Sequence, residues 1–299
     1  MATPARQIEA GQIFEVTARC INRRFFLPPR AEVTEAFLFI LAYYAQRHGI
    51  SLYALVIMAN HFHLLGRDNR GNLPHFMRDL NSFVARCLNS QHNRDDKLWS
   101  GDGYHVVRPV NPEDMWARLM YITSNPVNAD LVSRTEDYPG FVTTPSLIGK
   151  TLTFHRPAFY REDGKMPETA SLTFEIPPTL EMTRAQYVER FRDELRVAEF
   201  EAKRCRKLAG KGVVGAERLR AVEMGSLPRS GETWFQPKGD FACACENDRE
   251  AACAGRRAFL DEYALCRSIW REDQAGVVFP PGTWWVREYA GAEVRGAPG

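Results

Sequence analysis

Apolar and polar positions change period several times along the first 145 residues, and each change marks an element. Ile13-Phe14-Glu15-Val16-Thr17-Ala18 alternates with a period of two and predicts a first strand. Residues 32–48 switch to helical spacing, with Phe37, Leu38, Ile40, Leu41 and Tyr44 on the apolar side, and His48-Gly49 supplies a stop. Residues 51–65 are rich in apolar and β-forming side chains and predict two strands that turn near Ala59-Asn60. A second helix is predicted over 73–93, where Phe76, Met77, Leu80, Phe83, Val84, Cys87 and Leu88 recur at helical spacing. Gly101-Asp102-Gly103 predicts a turn and 104–107 a short strand. Asn111-Pro112-Glu113-Asp114 combines an N-cap, a first-turn proline and first-turn acids, so it starts a third helix. That helix is expected to end near Ser124, because a residue before proline is pushed out of helical geometry and Asn125-Pro126 follows. The order β-α-β-β-α-β-α predicts an α+β domain whose antiparallel sheet is covered by helices on one face.

Beyond Pro139 the texture changes, with Pro145, Pro157, Pro167, Pro177 and Pro178 punctuating an irregular stretch. A strand is expected within 171–176, a long helix over 182–208, a short helical hairpin over 211–222 turning at Gly212 or Gly215, and an amphipathic helix over 256–271. The chain therefore divides into a domain at 1–145, a Pro-rich connecting segment at 146–180 and a mainly helical extension at 181–299. There is no convincing internal repeat.

Composition narrows this only slightly. Of 299 residues, 44% are hydrophobic and 25% charged, with 39 Lys and Arg against 37 Asp and Glu. A net charge of +2 does not announce a nucleic-acid binder, so that case has to be local. The start, Met1-Ala2-Thr3-Pro4-Ala5-Arg6, lacks the apolar run of a signal peptide, and the longest apolar stretch, near 36–44, is too short to span a bilayer. The expectation is a cytoplasmic protein without a membrane partner. Seven cysteines, an odd number, argue against a disulfide framework. Cys243-Ala244-Cys245, with Cys253 and Cys266 beyond it, departs from metal-site spacing and reads as buried or incidental thiols before it reads as a zinc site.

The chemistry concentrates in Met58-Ala59-Asn60-His61-Phe62-His63-Leu64-Leu65. On a strand His61 and His63 share a face while Phe62 points to the other, and two imidazoles so placed can grip one divalent metal. Alone, such a pair is more often structural. Tyr121 and Asn125 form the second feature: four residues apart, they fall on one face of the third helix. A tyrosine hydroxyl can attack a phosphodiester, and an amide oxygen beside it can complete a metal's coordination. Alone, Tyr121 reads as a packing tyrosine and Asn125-Pro126 as a helix terminator.

Together these residues carry a resemblance. Residues 58–65 resemble the HUH motif (His, bulky hydrophobe, His) of HUH endonucleases. Tyr121-Ile-Thr-Ser-Asn125-Pro126-Val127-Asn128-Ala129-Asp130-Leu131-Val132 resembles the catalytic-helix segment of REP-associated tyrosine transposases, within the wider single-tyrosine, IS200-like family. Residues 14–19 with the Arg-rich turn after them, and Leu98-Trp99, also fit, so the resemblance covers roughly residues 10–145. It implies a ferredoxin-like HUH domain with a central antiparallel sheet, Mg2+ or Mn2+ held by His61, His63 and Asn125, and Tyr121 as nucleophile. It also implies cleavage and rejoining of single-stranded DNA bearing hairpin, REP-like elements through a transient 5′-phosphotyrosine, by a monomer or homodimer. Where relatives often carry basic residues after Asn-Pro-Val, this chain has Asn128 and Asp130.

Candidate phosphate contacts are Arg19, Arg23 and Arg24 after the first strand and Arg67 and Arg70 after the HUH strand. Between Arg184 and Arg220 eleven Lys and Arg face six Asp and Glu, with Lys203, Arg204, Arg206 and Lys207 the densest group, which suits a duplex or hairpin surface as well as it suits a solvated helix. Trp284, Trp285 and Tyr289 are candidates for base stacking or for packing. Three other functions compete: a domesticated DNA-binding protein without chemistry, a zinc hydrolase using water as nucleophile, and a replication initiator or relaxase. Intact His61, His63 and Tyr121 weigh against the first, the lack of an HExxH-type motif against the second, and the Tyr-after-His order against the third.

Overall fold

The structure, a computed structural model, describes residues 5–158, 166–228 and 239–296. Residues 1–4 of the N-terminus read above and residues 159–165 of the connecting segment lie outside the described residues.

β1 (Gln12–Cys20), α1 (Ala31–His48), β2 (Ile50–Met58), β3 (His61–Asp68), α2 (Leu73–Gln91), β4 (Trp99–Pro109) and α3 (Pro112–Asn128) follow the expected order. α1 ends where Gly49 takes a left-handed φ of 71°, a conformation that costs glycine little. β2 and β3 form a hairpin across Ala59-Asn60. The buried carboxylate of Asp68 closes β3 by accepting from the backbone N–H groups of Arg70, Asn72 and Leu73, which fixes the start of α2.

The main sheet runs β2-β3-β1-β4, every pair antiparallel, and β7 (Phe241–Ala242) adds to β4 in parallel, so the sheet is mostly antiparallel within an α+β fold. Register sets two faces. Phe14, Val16 and Ala18 pair with Gly66, Leu64 and Phe62, and this face is covered by α1 and α2, with Phe37 edge-on to Phe62 at 5.0 Å. Glu15, Thr17 and Arg19 pair with Leu65, His63 and His61, and this face meets α3 through Tyr121 and Arg118. The expectation of helices on one face is thereby corrected: most β2 and β3 residues are buried irrespective of parity, which demands cover on both sides.

Two local expectations also change. Gly101-Asp102-Gly103 does not precede the strand; it lies inside β4 as a bulge between the pairs Ala18–Tyr104 and Cys20–Trp99, with Gly103 at φ 72°. α3 starts as expected, Asn111 accepting from the Asp114 N–H at 2.9 Å, but runs through Pro126 to Asn128. Proline removes one intrahelical bond, and tertiary contacts offset that loss. Pro126 and Val127 are buried, and the last turn is closed by the Ala129 N–H on Asn125 O, the Leu131 N–H on Pro126 O and Arg206 on Val127 O.

Packing crosses the boundary expected near residue 145. β5 (Thr151–His155) and β6 (Thr169–Thr173) form a hairpin against α1, and Ile148, Leu172 and Phe174 join the main core. β6 lies slightly earlier than the strand expected over 171–176. α4 (Arg184–Leu208) sets Tyr187 and Phe191 against Trp116 of α3, so it too is part of that core. Of the expected helical hairpin only α5 (Ala216–Arg220) is helical. α6 (Glu246–Glu272) is longer than expected and buries Phe259. β8 (Val278–Phe279), α7 (Trp285–Ala290) and β9 (Glu293–Val294) gather with α6 around Phe279 and Val286 in a second, smaller core. Among the described residues no helix is long and apolar enough to cross a membrane.

Candidate nuclease site

β3 presents His61 and His63 on one sheet face, their ring centroids 5.1 Å apart and nearly perpendicular. Neighbouring groups set their tautomers. Asn60 donates through Nδ2 to Arg23 O at 3.0 Å, so its Oδ1 accepts, and His61 Nδ1 lies 2.7 Å from that oxygen. His63 Nδ1 lies 2.9 Å from Glu15 Oε1 and 2.9 Å from Thr17 Oγ1. Burial resists ionisation of Glu15, but hydrogen bonds from His63 and Arg118 and the charge of Arg118 outweigh it, so the carboxyl titrates below its ordinary value. An ionised Glu15 only accepts. His63 therefore carries its proton on Nδ1, and both imidazoles keep their lone pairs on Nε2, the tautomer a metal ligand needs.

Across this face stands α3. The Tyr121 ring meets His63 edge-on at 5.4 Å, and the residue is exposed (41%). The Arg118 guanidinium lies over the same ring, 4.3 Å from its centroid, and donates through Nε to Glu15 Oε2. Glu15, His63, Tyr121 and Arg118 thus form one continuous cluster from β1, β3 and α3. Asn125 is half-buried one turn beyond Tyr121, and its backbone oxygen caps Ala129. Among the described residues no three His, Cys, Asp or Glu side chains converge on a metal position.

The basic residues separate. Arg19 is exposed and stands opposite His61 in the β1–β3 register, on the site's face. Arg23 has a left-handed φ of 57° and its carbonyl is held by Asn60; Arg24 is exposed and donates to Gly225 O at 2.7 Å. Arg67 donates to Gly11 O at 3.0 Å at the far end of β3, and Arg70 is exposed in the turn beyond. On α4, Lys203, Arg204 and Lys207 are exposed, Arg204 pairing with Glu201 at 2.8 Å. Arg206 is the correction: it is buried, donates to Val127 O at 2.9 Å and lies 3.6 Å from Asp130, so it closes α3 and does not face solvent. Trp284 packs on His75 at 5.1 Å, whereas Trp285 and Tyr289 remain exposed. The seven thiols are free; Cys243 donates to Cys245 O, and Cys205, Cys245 and Cys253 are exposed.

Four residues of the site escaped the sequence reading: Glu15, Thr17, Asn60 and Arg118. Glu15 and Thr17 had a signal, being polar positions of matching parity in an otherwise apolar strand. Arg118 had the helical spacing to Tyr121, at i, i+3.

Residues 12–122 match a family described as "Transposase IS200 like". That stretch holds His61, His63, Tyr121, Glu15 and Arg118 and stops short of Asn125. No curated protein matches the chain significantly. Among solved structures, a REP-associated tyrosine transposase bound to a REP hairpin is similar at 18% identity and TM-score 0.40, over 47% of this chain and 81% of that one. A transposase candidate from Deinococcus radiodurans R1 is similar at 23% identity and TM-score 0.30, over 42% of this chain and 97% of that one.

Proposed function

From the match of residues 12–122 to the IS200-like transposase family, we propose that the chain is a cytoplasmic, metal-dependent tyrosine nuclease that cleaves and rejoins single-stranded DNA. The observation that carries this reading is the juxtaposition of two histidines with Nε2 lone pairs and an exposed tyrosine whose ring touches one of them. Residues 1–145 supply the chemistry, and the exposed Lys203, Arg204 and Lys207 with Arg19, Arg23 and Arg24 supply phosphate contacts.

His61, His63 and Asn125 would hold Mg2+ or Mn2+. When bound, such an ion supplies Lewis-acid stabilisation of the scissile phosphate. Tyr121 then forms the new bond: its oxygen attacks phosphorus in line, the bond from phosphorus to the 3′ oxygen breaks, and the phenol proton is balanced by the proton gained by the released 3′-OH. The product is a 5′-phosphotyrosine link. The reverse step, with a different 3′-OH, joins a new strand without ATP.

The test is direct. Labelled single-stranded oligonucleotides with and without hairpins, incubated with the protein and Mn2+, are expected to give a denaturation-resistant adduct. Tyr121→Phe should abolish the adduct and preserve binding. An adduct that survives this substitution overturns the assignment of the nucleophile, and cleavage without adduct points to water instead.

A further inference from the structure

Arg118 has more capacity than its structural contacts consume. Its Nε donates to Glu15, and its guanidinium carbon lies 4.3 Å from the Tyr121 ring centroid. Among the described residues no hydrogen bond engages its Nη groups, and the side chain is 25% exposed while its partner Glu15 is 1% exposed. A guanidinium carries five N–H donors in a planar fork suited to phosphate oxygens. Here one edge is anchored in the protein, and the remaining donors stand at the rim beside the exposed nucleophile.

We infer that Arg118 binds the scissile phosphodiester through its Nη groups and stabilises the charge that develops there, with Glu15 and the Tyr121 ring holding its fork in place. The inference rests on the reading of Tyr121 as nucleophile. In the step described above the phosphodiester gains negative charge on its non-bridging oxygens as the Tyr121 oxygen attaches. Preorganised donors aimed at such oxygens act without reorganisation at the moment of reaction. Glu15 offsets the formal charge of Arg118 but occupies only one of its donors, so the hydrogen-bonding capacity toward phosphate persists. The competing role is purely structural: Arg118 neutralises a buried carboxylate and does nothing else.

Three variants separate the roles: Arg118→Gln, Arg118→Lys and the double variant Glu15→Gln/Arg118→Gln, which leaves no buried charge uncompensated. In single-turnover adduct formation with Mn2+, Arg118→Gln is expected to lower the rate by about 10²–10³-fold, the range found when one donor to a developing oxyanion is removed. Arg118→Lys should recover little, because an ammonium cannot reproduce the fork. The double variant, assayed at saturating Mn2+ and against Glu15→Gln alone because that change also weakens metal binding, should regain melting temperature but not rate. Recovery of rate in the double variant, or an unchanged rate in Arg118→Gln, overturns the inference. A second measurement does not depend on cleavage. In the Tyr121→Phe background, binding of a single-stranded oligonucleotide is followed against salt concentration. Loss of one phosphate contact in Arg118→Gln should flatten the log–log salt slope by about 0.7. If wild-type protein forms no adduct yet the slope flattens, the tyrosine chemistry fails and the phosphate contact stands; an unchanged slope refutes the contact itself.

Discussion

Glu15 Oε1 lies 2.9 Å from Nδ1 of His63, so a buried carboxylate on β1 fixes the tautomer and ring orientation of an imidazole on β3. The same carboxylate takes Arg118 on its other oxygen. One side chain therefore relates the histidine pair to the helix that carries Tyr121. Removing the carboxylate partner of a ligating histidine typically costs 10–100-fold in metal affinity. Glu15→Gln is expected to weaken Mn2+ binding by about that factor, read by titration with electron paramagnetic resonance. Affinity equal to wild type would show that His63 does not depend on Glu15.

Asn60 plays the matching part for His61 and also ties down the left-handed turn at Asn22-Arg23, whose φ values are 51° and 57°. Asn60→Ala should lose both bonds, at about 1–2 kcal/mol of stability in urea unfolding, and weaken Mn2+ binding. Asn60→Asp keeps the acceptor for His61 and loses the donor to Arg23, so it should retain most metal affinity and recover little stability. The two readouts moving together in Asn60→Asp would contradict this division.

Arg206 and its exposed neighbours are expected to behave oppositely. Arg206→Ala leaves the end of α3 without its cap and should destabilise the fold by about 1–3 kcal/mol, the range for an abandoned buried group. It should leave the salt dependence of DNA binding unchanged. Combined alanine substitution of Lys203, Arg204 and Lys207 should do the reverse: little change in melting temperature and a shallower salt slope.

His48 gives the fold an acid sensitivity. Burial, with repulsion from His75 and Arg47, holds its pKa below the usual 6.5 against the bond to Asp79, and the Asp79 carboxyl titrates below its usual 3.8 because bonds from Arg78 and His48 overcome burial. Both folded values are depressed. The stability contributed by neutral His48 is thus present above 6.5 and lost as pH falls through its lower folded value, and that of Asp79 is lost only below 3.8. Urea midpoints should therefore decline on acidification below pH 6.5, and His48→Gln should flatten that decline. An identical slope in the variant would assign the sensitivity elsewhere.

Much of the fold was legible because its signals are short-range. Residues 73–93 and the Asn111 N-cap need only their own sequence to declare a helix, and Gly49 only its missing Cβ to declare a stop. The run of α3 through Pro126 was not legible: proline's local penalty is visible in sequence, whereas the contact that helps offset it, Arg206 on Val127 O, comes from 79 residues away. Nor could Ile148, Leu172 and Phe174 be recognised as part of the main core, because these sparse apolar positions gain their meaning from the packing of β5 and β6 on α1.

The sequence by itself determined the two periodic relationships of the site: His61 with His63 on one strand face, and Tyr121 with Asn125 on one helix face. Backbone geometry fixes these within a turn or a strand, whatever surrounds them. Only the tertiary structure decided that the two faces meet, that Glu15 joins them across separations of 48 and 103 residues, and that Arg206 turns inward. Those outcomes depend on strand register and on which buried polar group finds a partner, and no local pattern encodes either.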